Sequence, residues 1–275
     1  MWVAFRHNLY YQRSNLRSTL EAQTVSRVFK MVVESLRRPL LLCVAGWLLP
    51  LVCAGCSQHA TASLEKHGTN VKRLSPATRV VYVALGDSTG IGLGARNGGG
   101  YVDQILTKIR RTHSDSKLVN LSAAGATVTQ VLQSQIPRMG DAGPTVVTLG
   151  IGANDALEGV DEEQFAEEYE QAVTQIVRTG PPLIVVMTIP DIDSAPAMRT
   201  SGRSDIAAHV GNLNRRIRDI ASKHGLLLVD LHDAGTKEEL SRPEFFSSDG
   251  FHPSDKGYAL WAEAIWRTLA PAIEG

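Results

Sequence analysis

Val80-Val81-Tyr82-Val83-Ala84-Leu85-Gly86-Asp87-Ser88-Thr89-Gly90 is the stretch that decides how the rest of the chain is read. An unbroken apolar and aromatic run, rich in valine, passes straight into a glycine turn. A strand that alternates apolar and polar residues has one wet face; a strand without alternation is buried on both. Four further runs have the same texture: Leu118–Leu121, Thr145–Ile151, Leu183–Ile189 and Leu226–Leu231. Between them lie stretches with helical spacing, at about Tyr101–Thr112, Val128–Gln135, Glu162–Thr179 and Ile206–His224. A last helix is expected at about Asp255–Leu269. Gly180-Pro181-Pro182 stops the third helix, and Gly225 stands at the end of the fourth. Strand and helix in alternation predict an α/β domain with a central parallel sheet of about five strands, covered on both faces.

In an open parallel sheet, ligands bind outside the carboxyl ends of the strands. The residues that follow each run are therefore the informative ones. They are Gly86-Asp87-Ser88-Thr89-Gly90, then Ser122-Ala123-Ala124-Gly125-Ala126-Thr127, then Gly152-Ala153-Asn154-Asp155. Asp249-Gly250-Phe251-His252-Pro253 precedes the last helix. These patches are chemically complementary. A serine hydroxyl needs a base to take its proton, and histidine is the usual one near neutral pH. The histidine in turn needs a carboxylate to fix its tautomer. Asp249 and His252 are three apart, so one tight turn can place the carboxylate at Nδ1 and leave Nε2 for Ser88. Acyl transfer also needs donors aimed at the developing oxyanion. The Gly125 N–H, the Asn154 amide and the Ser88 backbone N–H are the candidates.

In this order the four patches resemble the conserved blocks of the SGNH (GDSL-type) hydrolases: Ser88 in Gly-Asp-Ser, Gly125, Asn154 in Gly-x-Asn-Asp, and Asp249-x-x-His252. The resemblance runs from about Val80 to Leu269, and only Thr89, where the family name has Leu, departs from it. It implies a flavodoxin-like three-layer sandwich. It implies a serine esterase acting on carboxylic acyl esters, with Ser88, Asp249 and His252 as triad. Ser88, Gly125 and Asn154 would form the oxyanion hole, with no cofactor and no metal. The expected substrates are short- or medium-chain lipid esters or acylated glycans. An acyltransferase using the same triad and a catalytically inactive envelope binding protein are the alternatives.

Each patch also has a plainer interpretation. Gly-Asp-Ser is a common turn, Asn154-Asp155 could cap the helix after it, and Asp249-Gly250 could be a turn alone. His232, beside Asp233, is the one rival base, but it has no Asp three residues before it. Gly86-x-Ser88-x-Gly90 matches the nucleophile elbow of α/β-hydrolases, yet here the serine follows the first strand. Gly90, Gly92 and Gly94 hint at a dinucleotide loop, but the spacing is wrong and no acid ends the second strand. That stretch, with Gly98–Gly100, is expected to be a mobile loop beside the nucleophile. Pocket walls are expected from residues 90–100, 191–204 and 232–248. Phe245 and Phe246 could line an acyl pocket, although core packing is the favoured expectation.

The 275 residues balance 28 Lys and Arg against 28 Asp and Glu. Residues 1–55 hold seven basic and two acidic residues, so the remainder is mildly acidic, with 21 against 26. Such a domain has no electrostatic footprint for nucleic acid. All three cysteines, Cys43, Cys53 and Cys56, fall in one short segment, so residues 57–275 contain no thiol nucleophile or thiolate ligand. No His, Asp and Glu spacing suggests a metal site. From Met31, a basic start and an apolar run from Pro39 to about Cys53 describe a secretory signal, too short for the about 20 residues of a spanning helix. Leu51-Val52-Cys53-Ala54-Gly55-Cys56 resembles a bacterial lipobox, which makes Cys56 the lipidation site and the cell envelope the expected location, with a membrane anchor. The expected organisation is an upstream extension at 1–30, signal at 31–55, anchor and tether at 56–78, and the hydrolase domain at 79–275.

Overall fold

A computed structural model of the chain describes residues 73–96, 99–199, 202–203, 205–233 and 242–274. The expected extension, signal, lipobox and most of the tether lie outside these residues. Five strands form one sheet: β1 Val81–Gly86, β2 Lys117–Asn120, β3 Val146–Gly150, β4 Leu183–Met187 and β5 Leu227–Val229. Every pairing is parallel and the spatial order is β2-β1-β3-β4-β5. The register sets Val83 beside Val119 on one side and Val147 on the other, and Gly86 beside Gly150 at the top.

The helices are α1 Tyr101–Ile109, α2 Val128–Gln130, α3 Ala153–Glu158, α4 Glu162–Arg178, α5 Ile206–Lys223 and α6 Asp255–Ile273. They divide between the two faces of the sheet. Val83, Leu85, Val147, Leu149, Ile184 and Val186 pack with α2, α4 and α5. Tyr82, Ala84, Val146, Val185 and Met187 pack with α1 and α6. Successive strand residues thus enter opposite cores, which is why the strands carry no polar alternation. The one polar exception inside β3, Thr148, is paired with the Tyr82 hydroxyl at 3.0 Å. The expected three-layer α/β architecture is the one observed.

Two local differences bear on the site. The second helical stretch does not stop at Gln135. It passes from α2 through a π-helical turn, Val131–Gln135, into Ile136–Met139. Pro137 lies in that last segment and lacks an N–H. The wider turn before it accommodates the interrupted ladder. α3 is a short helix that the hydrophobic pattern did not predict, because a six-residue helix shows too little periodicity. Order 2-1-3-4-5 places the topological switch between β1 and β3, where the crossovers leave to opposite faces and a crevice opens. Ser88 follows one of these strands and Asn154 the other.

Candidate active site

β1 ends at Gly86 because the tops of β1 and β3 touch. A Cβ there would lie 2.4 Å from Gly150 O, so no larger residue fits. Gln135, from the π-helical turn, closes this junction: its Oε1 accepts from Gly86 N at 2.9 Å and its Nε2 donates to Gly86 O at 2.8 Å. The chain then turns sharply. Asp87 Oδ1 accepts from both the backbone and hydroxyl of Thr89, each at 2.8 Å. Burial pushes the Asp87 carboxyl above its ordinary value, against those two bonds. Ser88 stands at the top of the turn.

Opposite it, residues 246–253 form a compact hairpin-like loop, with Phe246 bridged to Pro253 and Ser247 N–H bonded to His252 O at 2.8 Å. Within the loop, Asp249 Oδ1 accepts from Ser247 Oγ at 2.8 Å, Phe251 N at 2.8 Å and His252 N at 2.9 Å. Oδ2 meets His252 Nδ1 at 2.6 Å. Burial alone would raise this carboxyl. The Phe251 N–H, the His252 ring, the Ser247 hydroxyl and the His252 N–H outweigh it and hold the group well below the usual carboxylate range. A permanent carboxylate at Nδ1 keeps the proton there, leaving Nε2 as acceptor. Nε2 lies 2.9 Å from Ser88 Oγ. Ser88, His252 and Asp249 therefore form one hydrogen-bonded chain. Phe251 packs edge-on to the His252 ring at 5.2 Å between centroids.

Asn154 is on α3, but it is not the helix cap; Gly152 occupies that position. Its Nδ2 donates to Ala126 O at 2.8 Å. Asp155 does not cap α3 either: it is fully buried and bonds Val128 N, at the start of α2. The turn Ala123–Thr127 is thus tied to α3, and Ala123 N ties it to Gly86 O at 3.1 Å. Gly125 is at the exposed tip of this turn with φ of 73°, a left-handed conformation that favours glycine. His232 bonds Asp233 at 3.0 Å, and the ring that meets Ser88 Oγ is that of His252.

Beside Ser88 lies an open, mainly apolar cleft. Ile151, Met187, Ile189 and Leu231 line it from the strand ends, Asn154 lines it from α3, and Leu260 and Trp261 line it from α6. Phe245, Phe246 and Phe251 complete the wall, so the favoured expectation of core packing for Phe245 and Phe246 is corrected: both are half-buried at the cleft. Asp191, Ile192 and Ala195 come from the second expected wall segment. The described part of the first segment, 90–96 and 99–100, does not line the cleft. It is not free either: Tyr258 Oη donates to Leu93 O at 2.6 Å and Arg96 N donates to Asp255 Oδ1 at 2.7 Å. Gly94 supports the His252 loop from below, where a Cβ would lie 2.6 Å from Pro253 O.

Gln135, Asp155 and Ser247 are site-building residues that sequence reasoning missed. For Asp155 the Gly-x-Asn-Asp block was a signal. For Gln135 the sequence has none, because its partner is 49 positions away.

No curated protein matches the chain. Solved structures match it over about 70% of its length. A lipase/acylhydrolase from Enterococcus faecalis is 24% identical, with TM-score 0.54, and 96% of that chain and 70% of this one are covered. TesA is 21% identical with TM-score 0.57, covering 99% of that chain and 70% of this one. Axe2, an acetylxylan esterase from Geobacillus stearothermophilus, is 22% identical with TM-score 0.56, covering 94% and 69%. These likenesses carry the fold. The GDSL-like lipase/acylhydrolase family matches residues 84–260, from inside β1 into α6 and across every site segment. With the fold, the hydrogen-bonded Ser88 and that match in hand, the chain belongs to the GDSL-like lipase/acylhydrolase family, and its enzyme class is carboxylic ester hydrolase.

Proposed function

We propose that the protein hydrolyses carboxylic esters through an acyl-enzyme on Ser88. The observation that carries this is the Ser88–His252–Asp249 chain, with 2.9 and 2.6 Å links and a carboxylate held ionised. His252 Nε2 takes the Ser88 proton as Oγ bonds to the ester carbonyl carbon, and the carbonyl π pair moves onto oxygen. Asn154 and the backbone N–H groups of Ser88 and Gly125 receive that oxyanion. The tetrahedral intermediate collapses, the bond to the alcohol breaks, and His252 returns its proton to the alcohol oxygen. Water then repeats the sequence and releases the acid. The protein's own groups hold and move every proton in this cycle.

The apolar cleft beside Ser88 supports an acyl group of short or medium length. Lipid esters and acylated glycans both remain within that class, and the presence of an acetylxylan esterase among the fold neighbours supports including acetylated glycans in the test. We place the enzyme in the cell envelope, lipid-anchored at Cys56, on the sequence pattern of residues 31–56; a Cys56→Ser variant that still incorporates labelled lipid contradicts this. The catalytic reading is tested with a fluorophosphonate probe and a graded panel of p-nitrophenyl esters, acetylated xylan and lysophospholipid. The expected result is a single label on Ser88, and an ester turnover that Ser88→Ala abolishes down to the residual rate left by the oxyanion donors. Label on another residue, or full activity in Ser88→Ala, refutes it.

A further inference from the structure

Asp155 is fully buried, and the cycle above gives it no task. Both of its carboxylate oxygens lie within hydrogen-bond distance of Val128 N–H, at 3.1 and 3.2 Å. Val128 opens α2, so the carboxylate sits against the unpaired N–H groups and positive end of a helical run. One residue earlier, Asn154 Nδ2 grips Ala126 O at 2.8 Å. Two adjacent side chains on α3 thus hold one turn on either side of Thr127, and that turn carries Gly125. Ala123 N–H, bonded to Gly86 O, fixes the near end of the turn, and the two α3 side chains fix its far end at Ala126 and Val128.

We propose that Asp155 is a positioning residue: it fixes the Gly125 turn and Asn154 relative to one another, and so sets the geometry of the oxyanion site rather than substrate binding. This rests on the ester hydrolase reading and adds to it a residue that never touches the substrate. The ionised form grips more firmly. Protonation removes the charge facing the helix end and leaves only one of the two oxygens to accept from Val128 N–H. Burial pushes the carboxyl up to about 6, with the backbone N–H groups of Val128 and Asp155 opposing and the carboxylates of Glu168 on α4 and Glu158 on α3 adding to it. The grip therefore loosens just below neutral pH. Because this carboxyl is raised above its unfolded value, its contribution to folding is full at pH below about 4 and is lost as pH rises through about 6. Activity and stability respond to this one group in opposite directions.

Asp155→Asn and Asp155→Ala are compared with the wild-type chain on a p-nitrophenyl ester. Displacement of reacting groups by about 1 Å costs of order 10²-fold, so kcat is expected to fall about tenfold in the Asn variant and about a hundredfold in the Ala variant. KM should stay within about threefold, since substrate binding is not the step affected. Asp155→Asn should melt no lower than wild type at pH 7, because the neutral amide avoids the buried charge. The wild-type profile of log kcat against pH should show a step near 6 that Asp155→Asn lacks. An Asn variant with wild-type kcat and an unchanged profile overturns the proposal. So does a loss of activity carried by KM or by unfolding. A wild-type chain that turns over no ester removes the hydrolase reading and this inference together, whereas active wild type beside unaffected variants removes this inference alone.

Discussion

Replacing Asp249 by Asn exchanges one oxygen for one nitrogen, and the hydrogen bonds around the carboxylate dictate which one. Oδ1 accepts from Ser247 Oγ, Phe251 N and His252 N at 2.8, 2.8 and 2.9 Å. Oδ2 meets His252 Nδ1 at 2.6 Å. An amide nitrogen cannot take the Oδ1 place, where it would confront two backbone N–H donors. Putting it there would forfeit those bonds at about 1 kcal/mol each, before any repulsion between donors. The amide oxygen therefore takes the Oδ1 place and the NH₂ turns to Nδ1. A donor at that point needs an acceptor, so Nδ1 gives up its proton and Nε2 carries it. Nε2–H then points at Ser88 Oγ and cannot act as base. A wrong tautomer in a serine–histidine–aspartate site costs about 10⁴-fold in kcat, which is roughly 5.4 kcal/mol at 1.36 kcal/mol per decade. Asp249→Ala removes the carboxylate but imposes no tautomer, so a folded Asp249→Ala chain should be no less active than Asp249→Asn. Initial rates on p-nitrophenyl esters, normalised to fluorophosphonate-titratable protein and paired with melting curves, decide it. An Asn variant within tenfold of wild type, or a folded Ala variant less active than a folded Asn variant, refutes the tautomer argument.

Asn154→Ala should lower kcat by about 10²–10³ with KM nearly unchanged, the pattern for a lost oxyanion donor; its missing bond to Ala126 should cost only about 1 kcal/mol in a denaturant titration. Asn154→Asp should be less active still, since a carboxylate there repels the developing charge. Gly94→Ala should lower both melting temperature and kcat, because a left-handed residue costs about 1–2 kcal/mol without glycine and the new methyl meets Pro253 O under the His252 loop; a variant with wild-type kinetics would show that the loop does not depend on this support. The depressed Asp249 carboxyl gives stability that is full above about pH 4 and is lost as pH falls through its folded-state value, so Asp249→Ala should flatten the acid limb of a stability–pH profile.

The sheet was legible because burial leaves its mark locally. β1 and β4 are apolar on consecutive residues since each faces two cores, and that texture needs no knowledge of partners. The turn residues after each strand were legible for a related reason: the parallel topology sends every carboxyl end to one rim, so type and order sufficed to pick out Ser88, Gly125, Asn154, Asp249 and His252 as candidates. Asp249 and His252 are three apart, and one local turn makes their bond. Other features depend on chain segments that the sequence keeps far apart. Gln135 reaches Gly86 only because a π-helical turn rotates it toward the strand end, and Ser88 reaches His252 across 164 positions. Whether Phe245 and Phe246 faced a core or a cleft could not be read from their apolar character, which suits both. Asn154-Asp155 had the composition of a helix cap, and only the packing of α3 against the Ala123–Thr127 turn sent Asn154 to that turn and Asp155 to the start of α2 instead. Residue type and local spacing therefore determined the strands, their rim and the kinds of groups on it; the tertiary structure decided which groups touch, because hydrogen bonds between remote segments depend on how the layers are set against each other and leave no periodic trace in the chain.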